Sequence, residues 1–191
     1  MTGRVYLVGA GPGAPDLLTL RATELLKRAD IVFHDALVHA EIVAMATAAE
    51  KIAVGKRCGK HSAAQRFINK RLVDAARKYR TVVRLKGGDP TLFGRAQEEI
   101  AALQAAGIDY EIVPGVTAAL AAGADLGLSL TQRGVARSVT FVTARVGAGE
   151  SEHDWARGVM AADTAVIYMG AGQADRIAAT LIGRASCRER V

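Results

Sequence analysis

The segment that most restricts the fold lies between residues 82 and 99. An apolar, β-branched run (Val82, Val83, Leu85) gives way to Lys86-Gly87-Gly88-Asp89-Pro90 and then to Arg95-Ala96-Gln97-Glu98-Glu99. Paired glycines permit positive φ or close approach of a ligand to the backbone, and Pro90 ends the strand while fixing φ for the turn. The pattern predicts a buried strand, a glycine turn and a helix, with Asp89 placed where a carboxylate can grip a hydroxyl or an amine. An ordinary strand-to-helix turn reads the same way, because Gly, Asp and Pro are the usual turn formers.

The same alternation runs along the chain. Residues 5–8 form an apolar run that ends in Gly9-Ala10-Gly11-Pro12-Gly13, after which Leu17, Leu18, Leu20, Leu25 and Leu26 recur at near-helical spacing. A second strand spans 29–35, with Asp35 at its carboxyl end. Residues 41–49 read as helix, 51–54 as strand, and 55–59 as a basic loop carrying Lys56. In a helix over 62–80, Phe67, Ile68, Leu72, Ala75, Ala76 and Tyr79 make one apolar stripe. Further helices are expected at 95–106, around Trp155 and from 173 onward, and strands at 110–113, 139–143 and 165–168. Strand alternating with helix argues for an α/β protein with largely parallel sheets in two halves. The Ala- and Gly-rich texture after Pro114 sets the expected boundary: an N-terminal domain over 1–114 and a second, incomplete one over 115–181. Residues 182–191 lack apolar periodicity and resemble the translation of a short-read sequencing adapter, so they are expected to be an artefact.

Half the residues are apolar and the formal charge is +6, which points to an anionic partner: nucleic acid, a membrane surface or a polyacidic small molecule. Cys58 and Cys187 are too few for a disulfide framework or a zinc site, and the four histidines show no metal-ligand spacing. No metal is expected. Without a leader peptide or a spanning apolar run, a cytoplasmic protein that crosses no membrane is expected. Gly9, Gly11 and Ala14 fit the looser dinucleotide fingerprint, with Asp35 at a ribose-binding distance. Pro12 and Pro15 oppose that reading, because they keep a helix from starting against the loop and so remove the amides a pyrophosphate needs. The glycines are expected instead to clear space for a bulky ligand without phosphate.

The motifs Leu7-Val8-Gly9-Ala10-Gly11-Pro12-Gly13, Asp35-Ala36-Leu37-Val38, Val54-Gly55-Lys56-Arg57, Arg84-Leu85-Lys86-Gly87-Gly88-Asp89-Pro90, Phe93-Gly94-Arg95, Val113-Pro114-Gly115-Val116-Thr117-Ala118-Ala119 and Tyr168-Met169-Gly170 stand in order and in register. Together they resemble the uroporphyrinogen-III C-methyltransferases of the tetrapyrrole methylase superfamily, over residues 5 to about 181. The resemblance implies a fold of two α/β domains, usually a homodimer, with S-adenosylmethionine held in a cleft between the domains. It implies methylation of carbons 2 and 7 of uroporphyrinogen III to precorrin-2, the branch point toward sirohaem and cobalamin. By motif, the cofactor contacts fall on Pro12, Gly87, Gly88, Asp89, Leu92, Thr117, Ala118 and Met169. Asp35 and Lys56 match acid/base positions, and Arg95, Glu98 and Arg133 match substrate contacts.

These residue types suit the chemistry. A sulfonium needs no metal to make it a leaving group, so the protein's main task is to align the methyl with a pyrrole carbon. Cationic side chains can orient the substrate's carboxylates, and proton movement on the macrocycle gives Asp35 and Lys56 a role. Each residue also has a plainer reading: Asp35 as a strand-end turn former, Lys56 as a solvated charge, Arg95 and Glu98 as helix surface, Met169 as core. Ala96-Gln97 stand where the family usually has paired glycines, and Ser129 and Gln132 where it has Pro and His, which bears on how a tetrapyrrole is oriented. The alternatives carried forward are a methylase of a later precorrin or of ribosomal RNA ribose, and a non-catalytic tetrapyrrole- or nucleoside-binding fragment.

Overall fold

A computed structural model describes residues 2–54, 61–147, 151 and 153–188. Contacts divide the chain into two units, Met1–Ala121 and Ala122–Val191. In the first, β1 (Arg4–Gly9), β2 (Ile31–His34), β3 (Glu50–Ala53), β4 (Thr81–Lys86) and β5 (Tyr110–Val113) alternate with α1 (Leu20–Arg28), α2 (Ala40–Ala44), α3 (His61–Lys78) and α4 (Ala96–Ala105). The strands form one sheet in the order β3-β2-β4-β1-β5, and every pairing in it is parallel. Strand β4 therefore lies at the centre, in register with β1 from Arg4 opposite Thr81 to Gly9 opposite Lys86.

Alternation along β4 sorts its side chains between two helical layers. Val83 and Leu85 join Val8 and Val32 beneath Leu25 and Leu26 of α1 and Ile42 of α2. Val82 joins Val5 and Phe33 beneath Ile68 and Leu72 of α3 and Leu103 of α4. Each such side chain contributes about 1.5–3 kcal/mol through removal from water, and helices on both faces explain why the strand reads as a nearly continuous apolar run.

The buried faces of two helices differ from the sequence expectation. Thr19 caps α1 by accepting from the Ala22 amide at 3.2 Å, so the inward face is Ala22, Leu25 and Leu26, while Leu20 is 85% exposed. Phe67, expected in the packed stripe of α3, is 56% exposed, with the Arg71 guanidinium 5.4 Å from its ring centre. In both cases an apolar residue lies off the arc that faces the sheet.

Helix α5 (Ala118–Asp125) contains the division between the units, a few residues after the boundary expected at Pro114. The second unit contains β6 (Val139–Thr143), α6 (Trp155–Ala161), β7 (Thr164–Tyr168) and α7 (Ala174–Arg188). Strands β6 and β7 pair in parallel, and Asp163 fastens their starts by accepting from the Arg137 and Ser138 amides, both at 2.9 Å. Phe141 meets Tyr168 edge-on at 6.0 Å between ring centres. Helical backbone continues past Leu181 to Arg188.

Candidate active site

Because the strands of the first unit are parallel, their carboxyl ends share one edge of the sheet, the edge at which open parallel sheets bind ligands. Four turns meet there. They carry the run from Gly9, the last residue of β1, to Gly13, then Asp35 after β2, Gly87 to Asp89 after β4, and Pro114 to Thr117 after β5.

Glycine is required where these turns cross. A Cβ on Gly9 would lie 2.6 Å from the Gly115 nitrogen and 2.7 Å from the Gly88 carbonyl oxygen, closer than side chains come to backbone. Gly88, at φ +65°, exchanges two backbone hydrogen bonds with Gly11: its amide donates to the Gly11 carbonyl at 2.7 Å and its carbonyl accepts from the Gly11 amide at 3.2 Å. The space cleared at Gly9 is thus filled by neighbouring turns rather than left for a ligand, which corrects the expectation for that glycine. Pro15–Leu17 forms a short 3-10 turn and α1 starts only at Leu20, so no helix opens against the first glycine loop.

Asp89 ties two of the turns together. Its Oδ1 accepts from the Thr91 amide at 2.8 Å and the Thr91 hydroxyl at 2.5 Å, and its Oδ2 accepts from the Gly115 amide at 3.0 Å. Partial burial pushes its pKa upward, but the Thr91 hydroxyl and the Gly115 and Thr91 amides outweigh this and hold the carboxyl below the ordinary carboxylate range. Leu92, half-buried, follows one turn later, its amide 3.4 Å from the Asp89 carbonyl. A Cβ on Gly88 would meet the Thr117 Cα at 3.9 Å, which brings Thr117 beside the β4 turn. Pro12, Gly87 and Ala118 are exposed along the same edge.

Among the described residues, three that are not glycine adopt left-handed backbone: Phe93 at φ 53°, Arg95 at φ 55° and Met169 at φ 56°. Such conformations cost on the order of 1–2 kcal/mol each, and strain of this kind concentrates at ligand sites. All three stand in the motifs, and two of them, Arg95 and Met169, are expected site residues. Arg95 is the residue before α4, and its guanidinium grips Glu98 with two bonds, Nε to Oε1 at 2.6 Å and Nη2 to Oε2 at 2.8 Å. Met169, 50% exposed, follows β7, and exposed Arg133 lies in the turn between the bridged residues Gln132 and Ala136; both belong to the second unit. Lys56 lies outside the described residues.

Sequence reasoning missed the charged cluster beneath Asp35. Arg84 and Lys86 of β4 and Glu99 of α4 are 2%, 3% and 0% exposed. Glu99 Oε1 accepts from Arg84 Nε at 2.9 Å and Gln65 Nε2 at 3.3 Å, and Oε2 accepts from Lys86 Nζ at 3.0 Å. The far side of Arg84 donates from Nη1 to the Leu85 carbonyl at 3.2 Å and from Nη2 to Asp35 Oδ1 at 2.6 Å. Burial works to lower the Arg84 pKa, but the charges of Glu99 and Asp35 and their hydrogen bonds exceed that effect and raise it. Burial, reinforced by the charge of Arg84, lowers the Lys86 pKa against the pull of Glu99. One signal was available: cations two residues apart share a face of a strand, and on a strand buried on both faces they demand an anion.

Among the described residues, no group of three or more His, Cys, Asp or Glu is placed to hold a metal. A cavity of about 420 Å³ lies within the second unit, lined by His153, Trp155, Arg176 and Arg184 among others, and none of the expected site residues lines it.

Comparison with known proteins places this arrangement. Siroheme synthase of Psychrobacter sp. (strain PRwf-1) is 48% identical over 92% of this chain and 36% of that protein, and siroheme synthase of Pseudomonas putida (strain F1) is 50% identical over 96% and 40%. The chain thus spans about two-fifths of the length of these curated relatives. A solved uroporphyrin III C-methyl transferase from Thermus thermophilus superposes with a TM-score of 0.80 at 45% identity, over 94% of this chain and 76% of that one. A solved cobalt precorrin-4 methyltransferase gives 0.81 at 28% identity, over 94% and 74%. Residues 4–190 match the family described as Tetrapyrrole (Corrin/Porphyrin) Methylases, and with the parallel sheet and its glycine-crossed carboxyl edge this makes the chain a member of the tetrapyrrole methylase family.

Proposed function

We propose that the chain belongs to an enzyme that transfers methyl groups from S-adenosylmethionine to carbons 2 and 7 of uroporphyrinogen III, giving precorrin-2 on the route to sirohaem and cobalamin. The observation that carries this reading is its much higher identity to a uroporphyrin III C-methyl transferase than to the precorrin-4 enzyme of the same fold. A relative solved with S-adenosyl homocysteine, the demethylated form of the donor, supports the choice of cofactor.

The residues at the carboxyl edge suit that cofactor. Exposed Pro12, Gly87 and Ala118 and half-buried Leu92 and Thr117 offer backbone amides, carbonyls and apolar surface, which a nucleoside joined to an amino acid needs. Asp89 keeps the β4 turn in place against Gly115. Met169, in the second unit, is assigned as a further cofactor contact.

When bound, S-adenosylmethionine supplies a methyl group on a good leaving group. The protein's part is to orient the acceptor and manage its protons. Arg95, set by Glu98, and Arg133 are assigned to the carboxylates of the tetrapyrrole, for which a planar guanidinium gives two-point recognition. Asp35, with 28% of its side chain exposed and Oδ1 anchored by Arg84, is assigned to accept a proton released by the macrocycle as the carbon–carbon bond forms. Lys56 is assigned as its partner in proton transfer. The net charge of +6 favours encounter with a polycarboxylate.

The same reading takes the protein to be a cytoplasmic homodimer that acts without a metal on a dissolved tetrapyrrole, not on nucleic acid or a membrane. No described helix is long and apolar enough to cross a membrane. Incubation with S-adenosylmethionine and uroporphyrinogen III, followed by mass spectrometry, tests the reading. A dimethylated product is expected, and a product with one added methyl, or none, overturns it.

A further inference from the structure

We propose that Glu99 is a positioning residue for methyl transfer, holding Arg84 so that Arg84 in turn fixes Asp35. The inference rests on the function proposed above and goes beyond it, because Glu99 lies wholly inside the protein and has no exposed surface of its own.

The geometry is a two-step clamp. Glu99 sits in the first turn of α4 and faces β4, where its two oxygens take three donors: Arg84 Nε, Gln65 Nε2 and Lys86 Nζ. Gln65 also donates to Asn69 at 2.9 Å, and Asn69 donates to the Glu98 carbonyl at 3.1 Å, so α3 braces the same turn of α4. With Nε held by Glu99 and Nη1 by the Leu85 carbonyl, the plane of the Arg84 guanidinium has little freedom left. Its Nη2 then points to Asp35 Oδ1 at 2.6 Å. Asp35 sits at the end of β2, its own amide 3.4 Å from the Leu85 carbonyl, so the strand fixes its backbone and Arg84 fixes its carboxylate. Arg84 and Lys86 balance Glu99 and Asp35 in charge, and among the described residues no buried side-chain nitrogen or oxygen lacks a hydrogen-bond partner. A salt bridge kept only for stability would need no exit to the site edge. This one ends on the single member of the cluster that remains reachable from solvent.

Glu99→Gln keeps the shape and removes the charge. The expected result is a kcat lowered about 10- to 100-fold, as a slightly misplaced catalytic group gives, with KM for S-adenosylmethionine changed by less than about 3-fold. The decisive readout is a double-mutant cycle with Asp35→Asn. If Glu99 acts through Asp35, Glu99→Gln costs less than about 3-fold in the Asp35→Asn background; an equal loss in both backgrounds overturns the proposal. A stray buried cation is controlled by Lys86→Met/Glu99→Gln, which should regain stability but not turnover; recovery of turnover there also overturns it. A readout that needs no turnover keeps the proposal separate from the functional reading. In arginine-labelled protein, the Arg84 Nε–H signal should exchange slowly in the wild type and in Asp35→Asn, and quickly in Lys86→Met/Glu99→Met, which removes the oxygen that accepts from Nε without leaving an unbalanced cation. Slow exchange in Lys86→Met/Glu99→Met refutes the clamp even if the wild type methylates nothing, an outcome that by itself refutes only the proposed substrate.

Discussion

Gly115→Ala puts the crossing of the turns under direct strain. The new Cβ would stand 2.9 Å from the Gly9 Cα and 3.0 Å from the Gly9 carbonyl carbon, where unbonded carbons prefer about 3.5–4.0 Å. Both are backbone atoms of β1, and β1 is held in register on each side, by β4 and by β5. The clash cannot be relieved by turning a side chain. Overpacking of this kind costs about 1–3 kcal/mol, and drawing Gly115 back stretches the bond from its amide to Asp89 Oδ2, a bond to a charged acceptor worth about 1.5–3 kcal/mol. A loss of roughly 3 kcal/mol follows if both act in part. Trp155, the only tryptophan, lies in the second unit, so its fluorescence would report on the wrong half of the chain. Amide hydrogen exchange at Val5, Leu7 and Val8 reads the first unit instead, and about 3 kcal/mol should accelerate it on the order of 10²-fold. Gly172→Ala, with nothing within 4 Å of its added Cβ, is the matched control. Acceleration by less than about 3-fold in Gly115→Ala would show that the turns do not interlock as described.

Asp89→Ala should weaken S-adenosylmethionine binding in equilibrium dialysis while Arg95→Ala mainly weakens tetrapyrrole binding; equal effects of either variant on both ligands count against the assignments. The folded-state pKa of Asp89 is depressed, so its contribution is present above the unfolded carboxylate value of about 3.9 and is lost as pH falls through the lower folded value. Protection of the Gly115 amide, compared between pH 6 and pH 3, should fall in the wild type and stay flat in Asp89→Asn. Gly94→Ala would set a Cβ 2.7 Å from the Pro90 oxygen and 3.1 Å from Lys86 Cε, and should destabilise the first unit by about 1–3 kcal/mol in urea unfolding followed by circular dichroism.

Strand-then-turn-then-helix was legible because each element carries a local signal. Val82, Val83 and Leu85 show the strand, Gly87 and Gly88 the turn, and Glu98 and Glu99 the acidic first turn of α4. Helix faces were less legible. Leu20 and Phe67 fit a helical period, but the arc that packs is chosen by the sheet below and not by the helix alone. Helix α2 stops at Ala44, although the Ala-rich run predicts helix to residue 49, because Ala46 and Ala49 bury themselves by turning the chain into β3. Gly9 was recognisable as a site of close approach, but what approaches it is Gly115, more than a hundred residues away in sequence. The Arg84–Glu99–Lys86 cluster stayed hidden for a related reason: the alternation of Arg84 and Lys86 announces a buried anion without saying which of many carboxylates supplies it.

Methyl transfer to tetrapyrrole carbon at this carboxyl edge, as proposed, can be followed atom by atom: uroporphyrinogen III is supplied with S-adenosylmethionine labelled with carbon-13 in the methyl group, and the product is read by NMR. Two labelled methyl groups on ring carbons, at positions 2 and 7, are predicted. Label at any other position, label on nitrogen or oxygen, or donor bound without transfer would contradict the account.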